Sequence, residues 1–136
     1  VRALQEAGMP YDPDMVVWFY TEDRKIHPYE GIQNIAKNKE LDAVVCYNDQ
    51  NAMGVIRALE ALDLKIPDDV SVTGYDNFYM ANQSDFRLTS IAHPQEKLGE
   101  MAAELLLDLV VNGENSEKQK IMIEPELVEG TSCKRR

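Results

Sequence analysis

The chain has 136 residues and carries 24 acidic against 14 basic side chains, a formal charge of −10. Its 44% apolar and 28% charged residues are a globular composition, which excludes disordered and fibrous classes, and the length fits one compact domain. The acidic balance excludes nucleic-acid binding by these residues themselves, because counterion release needs clustered Lys and Arg. The one basic cluster, Lys134-Arg135-Arg136, reads as a solvated tail. No stretch approaches the roughly 20 apolar residues of a membrane span. Cys46 lies inside the apolar run 43–47 and reads as a buried free thiol; Cys133 is distant in sequence, and no disulfide scaffold or zinc site is expected.

Residues 1–8 read as the end of a helix closed by Gly8. No Met and no N-cap open it, so the chain is expected to be a piece of a longer polypeptide. Residues 15–20 form a continuous apolar and aromatic run, the mark of a strand buried on both faces. A helix is predicted over 28–39, with Pro28 in its first turn and Tyr29, Ile32, Ile35 and Ala36 at helical spacing. A second buried strand covers 43–47. Asn48 or Asp49 caps a third helix running to Leu62, with Met53, Ile56, Leu59 and Ala52, Val55, Leu62 as a wide apolar stripe. Residues 66–69 form a turn, 70–75 a third strand, 76–86 a loop rich in Asn, Asp and Ser, and 88–91 a short extended piece. A long helix opens at Pro94 and closes at Asn112-Gly113. Its apolar stripe is Leu98, Met101, Ala102, Leu105, Leu106 and Leu109. Residues 121–128 carry one or two final strands around Pro125.

Strand, helix, strand, helix, strand with short links implies right-handed βαβ units and an α/β parallel sheet. Ligands of such sheets bind beyond the carboxyl ends of the strands. Those ends deliver residues 20–23, then Asn48-Asp49, then Asp76-Asn77 to one edge. A carboxylate accepts two hydrogen bonds from neighbouring hydroxyls, and an amide both donates and accepts. Asp76 with Asn48 therefore suits a polyol such as a sugar. A phosphate would call for a Gly-rich loop or Arg and Lys, and no GxGxxG or GxxxxGK[ST] occurs. Tyr20, Tyr47, Tyr75, Phe78 and Tyr79 could supply a platform for a sugar ring, and Trp18 reads as core. Asn48, Asp49 and Asp76 also fit ordinary structural roles as caps and turn formers, Asp49 above all. His27 and His93 accompany no recognisable nucleophile motif, and no enzyme is expected.

Several stretches, in order and over nearly the whole chain, carry a resemblance. They are Arg2-Ala3-Leu4-Gln5-Glu6-Ala7-Gly8; Asp42 through Tyr47 followed by Asn48-Asp49-Gln50-Asn51-Ala52-Met53-Gly54; Ile66-Pro67-Asp68-Asp69 running into Gly74-Tyr75-Asp76-Asn77; and Leu88-Thr89-Ser90-Ile91 before Leu98-Gly99 and Ala102-Ala103-Glu104-Leu105-Leu106. The chain resembles the C-terminal part of the effector-binding domain of LacI/GalR-family transcription regulators. Its nearest variant is the arabinose repressor type with a GntR-like headpiece. The resemblance implies a periplasmic-binding-protein-like, Rossmann-like fold of two α/β subdomains with a small sugar in the cleft between them. It divides the chain into 1–92 (C-terminal subdomain), 93–113 (crossing segment and a helix of the N-terminal subdomain) and 114–136 (return strands and tail). It implies ligand contacts from Asn48 and Asp76. His93 stands where the family crosses between subdomains, as His where Gln is common; residues 22–29 lack the family pattern, and no contact is carried to them. It further implies a homodimer through Met53, Ile56, Phe78 and Tyr79, although Met53 and Ile56 could equally face the sheet. It implies operator DNA bound through an upstream headpiece absent from this chain, a cytoplasmic setting, and no cofactor, metal or membrane partner. The alternative with the same fold is a periplasmic sugar receptor serving a transporter. The long leucine stripe is expected to be covered by a second chain or by more of the same protein.

Overall fold

The computed structural model describes residues 1–17, 27–78, 86–113 and 119–134. Helix α1 (Arg2–Glu6) ends as expected: Gly8 has φ 68°, and the N–H groups of Gly8 and Met9 donate to the carbonyls of Gln5 and Leu4. The strand predicted over 15–20 is not seen as such. Pro13–Met15 is a turn of 3-10 helix capped by the Asp12 carboxylate, Val16 is extended, and 18–20 lie outside the described residues, as do Trp18 and the expected strand end at 20–23.

Helix α2 (Pro28–Ala36) starts at Pro28, with His27 Nδ1 accepting from the Tyr29 N–H at 3.3 Å. It stops short of Lys39, where the Asn38 side chain takes the Asn34 carbonyl and the last turn tightens onto the Ile35 carbonyl. Strand β1 (Ala43–Val45) pairs in parallel with β2 (Ser71–Thr73), in the register Ala43–Ser71, Val44–Val72, Val45–Thr73. Between them helix α3 (Asp49–Glu60) crosses back, the βαβ unit that the alternating pattern implied.

One expectation for β1 is corrected. It is not buried on both faces: Val44 packs on the core, but Val45 is 84% and Tyr47 80% exposed. Helices α2 and α3 pack together and cover one face only, and strand alternation turns Val45 to the face that no described element covers.

The second edge of β2 is sealed by a later segment. Thr73 bridges Thr89 and Asp76 bridges Ala92, both in parallel, and Ser132 exchanges bonds with the Val72 backbone. Strand β3 (Ser90–Ala92) then pairs antiparallel with β4 (Glu126–Val128). The sheet is thus parallel at its centre with an antiparallel return strand.

The core lies between α3 and β2. Ala52, Val55, Ile56, Ala58, Leu59, Val70, Val72 and Leu88 are buried there with Ile32 of α2. The positions 52, 55, 56 and 59 are the helical stripe read from the sequence. Ile56, offered as a dimer-interface residue, belongs to this core at 5% exposure and presents no surface to a partner; Met53 is half-buried against it. Helix α4 (Gln95–Asn112) opens after Pro94 and ends at Gly113, φ 58°. None of its residues is buried, and Leu98, Leu106 and Leu109 are among its exposed side chains.

Candidate ligand-binding site at the carboxyl edge of the sheet

Three elements end at one place. Asn48 follows β1 and precedes α3, Asp76 follows β2, and His93 follows β3. With Tyr47 and Tyr75 they line a cavity of about 530 Å³. A second cavity of about 680 Å³ continues from Asp76 and His93 to Phe78 and the start of α4 at Gln95 and Lys97. The structure therefore brings Asn48, Asp76 and His93 together, as the strand-end rule requires.

The roles divide by local geometry. Asn48 is the cap of α3: its Oδ1 accepts from the Asn51 N–H at 2.9 Å, which leaves its amide N–H donors for another partner. Asp49, the other cap candidate, is not the cap. It is 1% exposed; its Oδ1 accepts from Ser90 Oγ and its Oδ2 from the Phe78 N–H, each at 2.6 Å. Asp76 has φ 104° and Asn77 φ 51°, conformations that Asp and Asn tolerate better than most side chains. The Asp76 carboxylate lies 3.6 Å from His93 Nε2, an ion-pair distance when the imidazole is protonated and too long for a hydrogen bond. The Tyr75 ring meets His93 edge to face, centroids 4.5 Å apart.

The edge therefore offers a half-exposed carboxylate acceptor, amide donors, an imidazole and two tyrosine rings. That combination recognises adjacent hydroxyls on a ring with an apolar face. Among the described residues no cluster of His, Cys, Asp and Glu is arranged to hold a metal ion. A further cavity of about 370 Å³ against the outer edge of β1 is lined chiefly by aliphatic groups such as Val17, Ile32, Val44 and Val55, and shares only Tyr47 with the polar edge.

The sequence pattern of one known domain, the periplasmic binding protein-like domain, matches residues 2–133. The chain belongs to that family. Its relatives are regulators of the LacI type. It is 38% identical over 133 residues to the HTH-type transcriptional repressor PurR of Photorhabdus laumondii, covering 97% of this chain and 38% of that protein. It is 29% identical over 134 residues to the arabinose metabolism transcriptional repressor of Halalkalibacterium halodurans, covering 94% of this chain and 36% of the relative. The transcriptional regulator CelR, solved as a cellobiose complex, superposes with a TM-score of 0.81 at 30% identity, covering 96% of this chain and 39% of that one. The chain thus spans under two-fifths of the length of these three proteins. No helix among its described residues is long and apolar enough to cross a membrane.

In this periplasmic binding protein-like domain the dimer candidates separate. Phe78 is 59% exposed beside the site, Met53 is half-buried, and Tyr79 lies outside the described residues. What the sequence reading missed is the Asp49–Ser90 contact. One signal was present: Thr89 and Ser90 are adjacent small polar residues in a short extended piece between Leu88 and Ile91.

Cys46, half-buried behind the site, is a free thiol. Burial pushes it up to about 12, and the nearby Asp49 carboxylate adds to the shift. At pH 8.5 the folded chain is expected to resist iodoacetamide at Cys46 while the urea-unfolded chain reacts, read by peptide mass spectrometry. Because the folded pKa exceeds the unfolded value of 9.0, this thiol favours folding below pH 9 and the benefit is lost as pH rises toward 12. Equal labelling in both states would contradict the burial.

Proposed function

We propose that the chain is the ligand-sensing and dimerisation part of a bacterial transcriptional repressor. A small uncharged sugar, arabinose or another, binds against Asn48, Asp76 and His93 and changes the affinity of upstream headpieces for operator DNA. The observation that carries this reading is the convergence of a carboxylate, amide donors and two tyrosines on one cavity, which among the described residues no Lys or Arg lines. The names of the relatives support it: a repressor of arabinose metabolism and a regulator solved with cellobiose.

In this reading residues 1–92 form the C-terminal subdomain, 93–113 the crossing segment with a helix of the other subdomain, and 114–136 the return strands and tail. Sugar favours one closure of the two subdomains, and Met53, Phe78 and Tyr79 of a two-fold dimer pass that closure to the headpieces in the cytoplasm. Sugar and DNA then change each other's affinity by the same factor. Isothermal calorimetry of the full-length protein against L-arabinose, D-ribose and cellobiose, with glucose 6-phosphate as the charged comparison, tests the site. Saturable heat is expected from a neutral sugar. Binding of the phosphate alone would remove the reading.

The exposed stripe of α4 bears on the isolated chain. Leaving Leu98, Leu106 and Leu109 in water forgoes about 1.5–3 kcal/mol each when fully buried. The 136-residue chain by itself is therefore expected to self-associate in size-exclusion chromatography with light scattering. A monodisperse monomer would show that the stripe tolerates solvent.

A further inference from the structure

We propose that Asp49 and Ser90 are positioning residues of the sugar site: their buried contact imposes the backbone shape that aims Asp76 at His93. This rests on the reading of that edge as the ligand site. Asp49 and Ser90 are both 1% exposed. Ser90 Oγ donates to Asp49 Oδ1 at 2.6 Å and accepts from the Asn77 N–H at 3.1 Å. The Phe78 N–H donates to Asp49 Oδ2, and the Asp76 N–H donates to the Ile91 carbonyl at 2.9 Å.

Three successive backbone donors, from Asp76 to Phe78, are thus fixed from outside their own loop. Between them lie the two positive-φ residues, Asp76 and Asn77. Non-glycine residues persist in such conformations when surrounding structure over-determines them. The same contact fixes β3 three residues before His93, so both members of the Asp76–His93 pair depend on it. Asp49 is also bound from the other side: its own N–H donates to the Tyr75 carbonyl at 2.9 Å. A buried carboxylate is costly, and among the described residues no cation pairs with it. An apolar pair would fill the same space without that cost but could not hold two backbone N–H groups of the loop.

The test uses proton NMR of the His93 and His27 imidazoles, assigned in the full-length protein, together with calorimetry. His93 lies against the Tyr75 ring, so its ring protons carry a ring-current displacement; His27, at the start of α2, is the internal control. In Asp49→Ala and Ser90→Ala the His93 signals are expected to lose that displacement while His27 keeps its native position. Affinity for whichever of L-arabinose, D-ribose or cellobiose binds should fall by about tenfold in each variant. Ser90→Thr, which keeps the hydroxyl, should restore both signals and affinity. Asp49→Ala combined with Asp76→Ala should lose less affinity than the two single losses together, since part of the Asp49 effect passes through the Asp76 carboxylate.

Native His93 signals and native affinity in Ser90→Ala would overturn the proposal, even with a lowered melting temperature. If Asp49→Ala unfolds and moves both histidines, Ser90→Ala and Ser90→Thr decide. If the His93 signals respond but Asp76→Ala leaves sugar affinity unchanged, the positioning stands and the assignment of the sugar site fails.

Discussion

Asp76→Ala is expected to raise the dissociation constant of the bound sugar by about ten- to a hundredfold. A hydrogen bond to a charged group contributes about 1.5–3 kcal/mol, and about 1.4 kcal/mol is tenfold in affinity. Asp76 is the carboxylate that lines both cavities at the strand ends, and among the described residues its side chain's nearest polar partner is His93 Nε2 at 3.6 Å. Its acceptor oxygens can therefore receive ligand hydroxyls. Alanine also meets a backbone problem, because φ is 104° there and a Cβ without a compensating polar group disfavours that region. Asp76→Asn separates the two effects. It keeps the volume and the tolerance of positive φ, removes the charge and turns one acceptor oxygen into an amide donor. Both variants are expected to lose sugar affinity by calorimetry, with Asp76→Asn keeping the melting temperature. In a full-length repressor both should still bind operator DNA and fail to release it on adding sugar. Unchanged affinity in Asp76→Asn would take Asp76 out of the site.

The legible part of this fold was its periodicity. The stripe through Ala52, Val55, Ile56 and Leu59 gave α3 and its buried face, because one face of a helix over a sheet must be apolar. The strand ends gave the edge at which Asn48 and Asp76 meet, because a βαβ unit fixes where its loops point. Burial of β1 was not legible. A continuous run such as Ala43 to Tyr47 is read as covered on both faces, but coverage depends on what lies opposite, and no described element lies over Val45. The stripe of α4 shows the same limit, since amphipathicity predicts that a face needs a partner and does not supply one. The choice of cap between Asn48 and Asp49 stayed open for a different reason. Asn48 and Asp49 are both good capping residues, and local preference does not choose between neighbours. The choice is made from a distance: Ser90 and Phe78 offer two donors to a carboxylate at 49, and Asn51 offers one to the amide at 48.

Gly74 supplies the second large prediction. A Cβ there would overlap Asp49 Oδ1, lie 2.6 Å from Leu88 Cδ2 and sit 3.2 Å from the Asp49 Cα. Relief by side-chain movement is blocked on each side. The Asp49 carboxylate is held by Ser90 and Phe78, and Leu88 is fully buried in the core. Gly74→Ala must therefore shift β2 against α3 or break the Asp49 contacts, at a cost of about 3 kcal/mol, the upper end for overpacking a close-packed site. In a chain of this size that corresponds to a fall of about 10 °C in melting temperature. Gly99→Ala is the matched comparison: it lies in α4 with nothing within 4 Å of the added Cβ. There the same methyl should stabilise the helix by up to about 1 kcal/mol. One chemical change should thus move the melting temperature in opposite directions at two sites, with sugar affinity falling only at Gly74. Equal small shifts at both would mean that the Asp49 carboxylate yields freely, and the rigid link between α3, the loop after β2 and β3 would have to be given up.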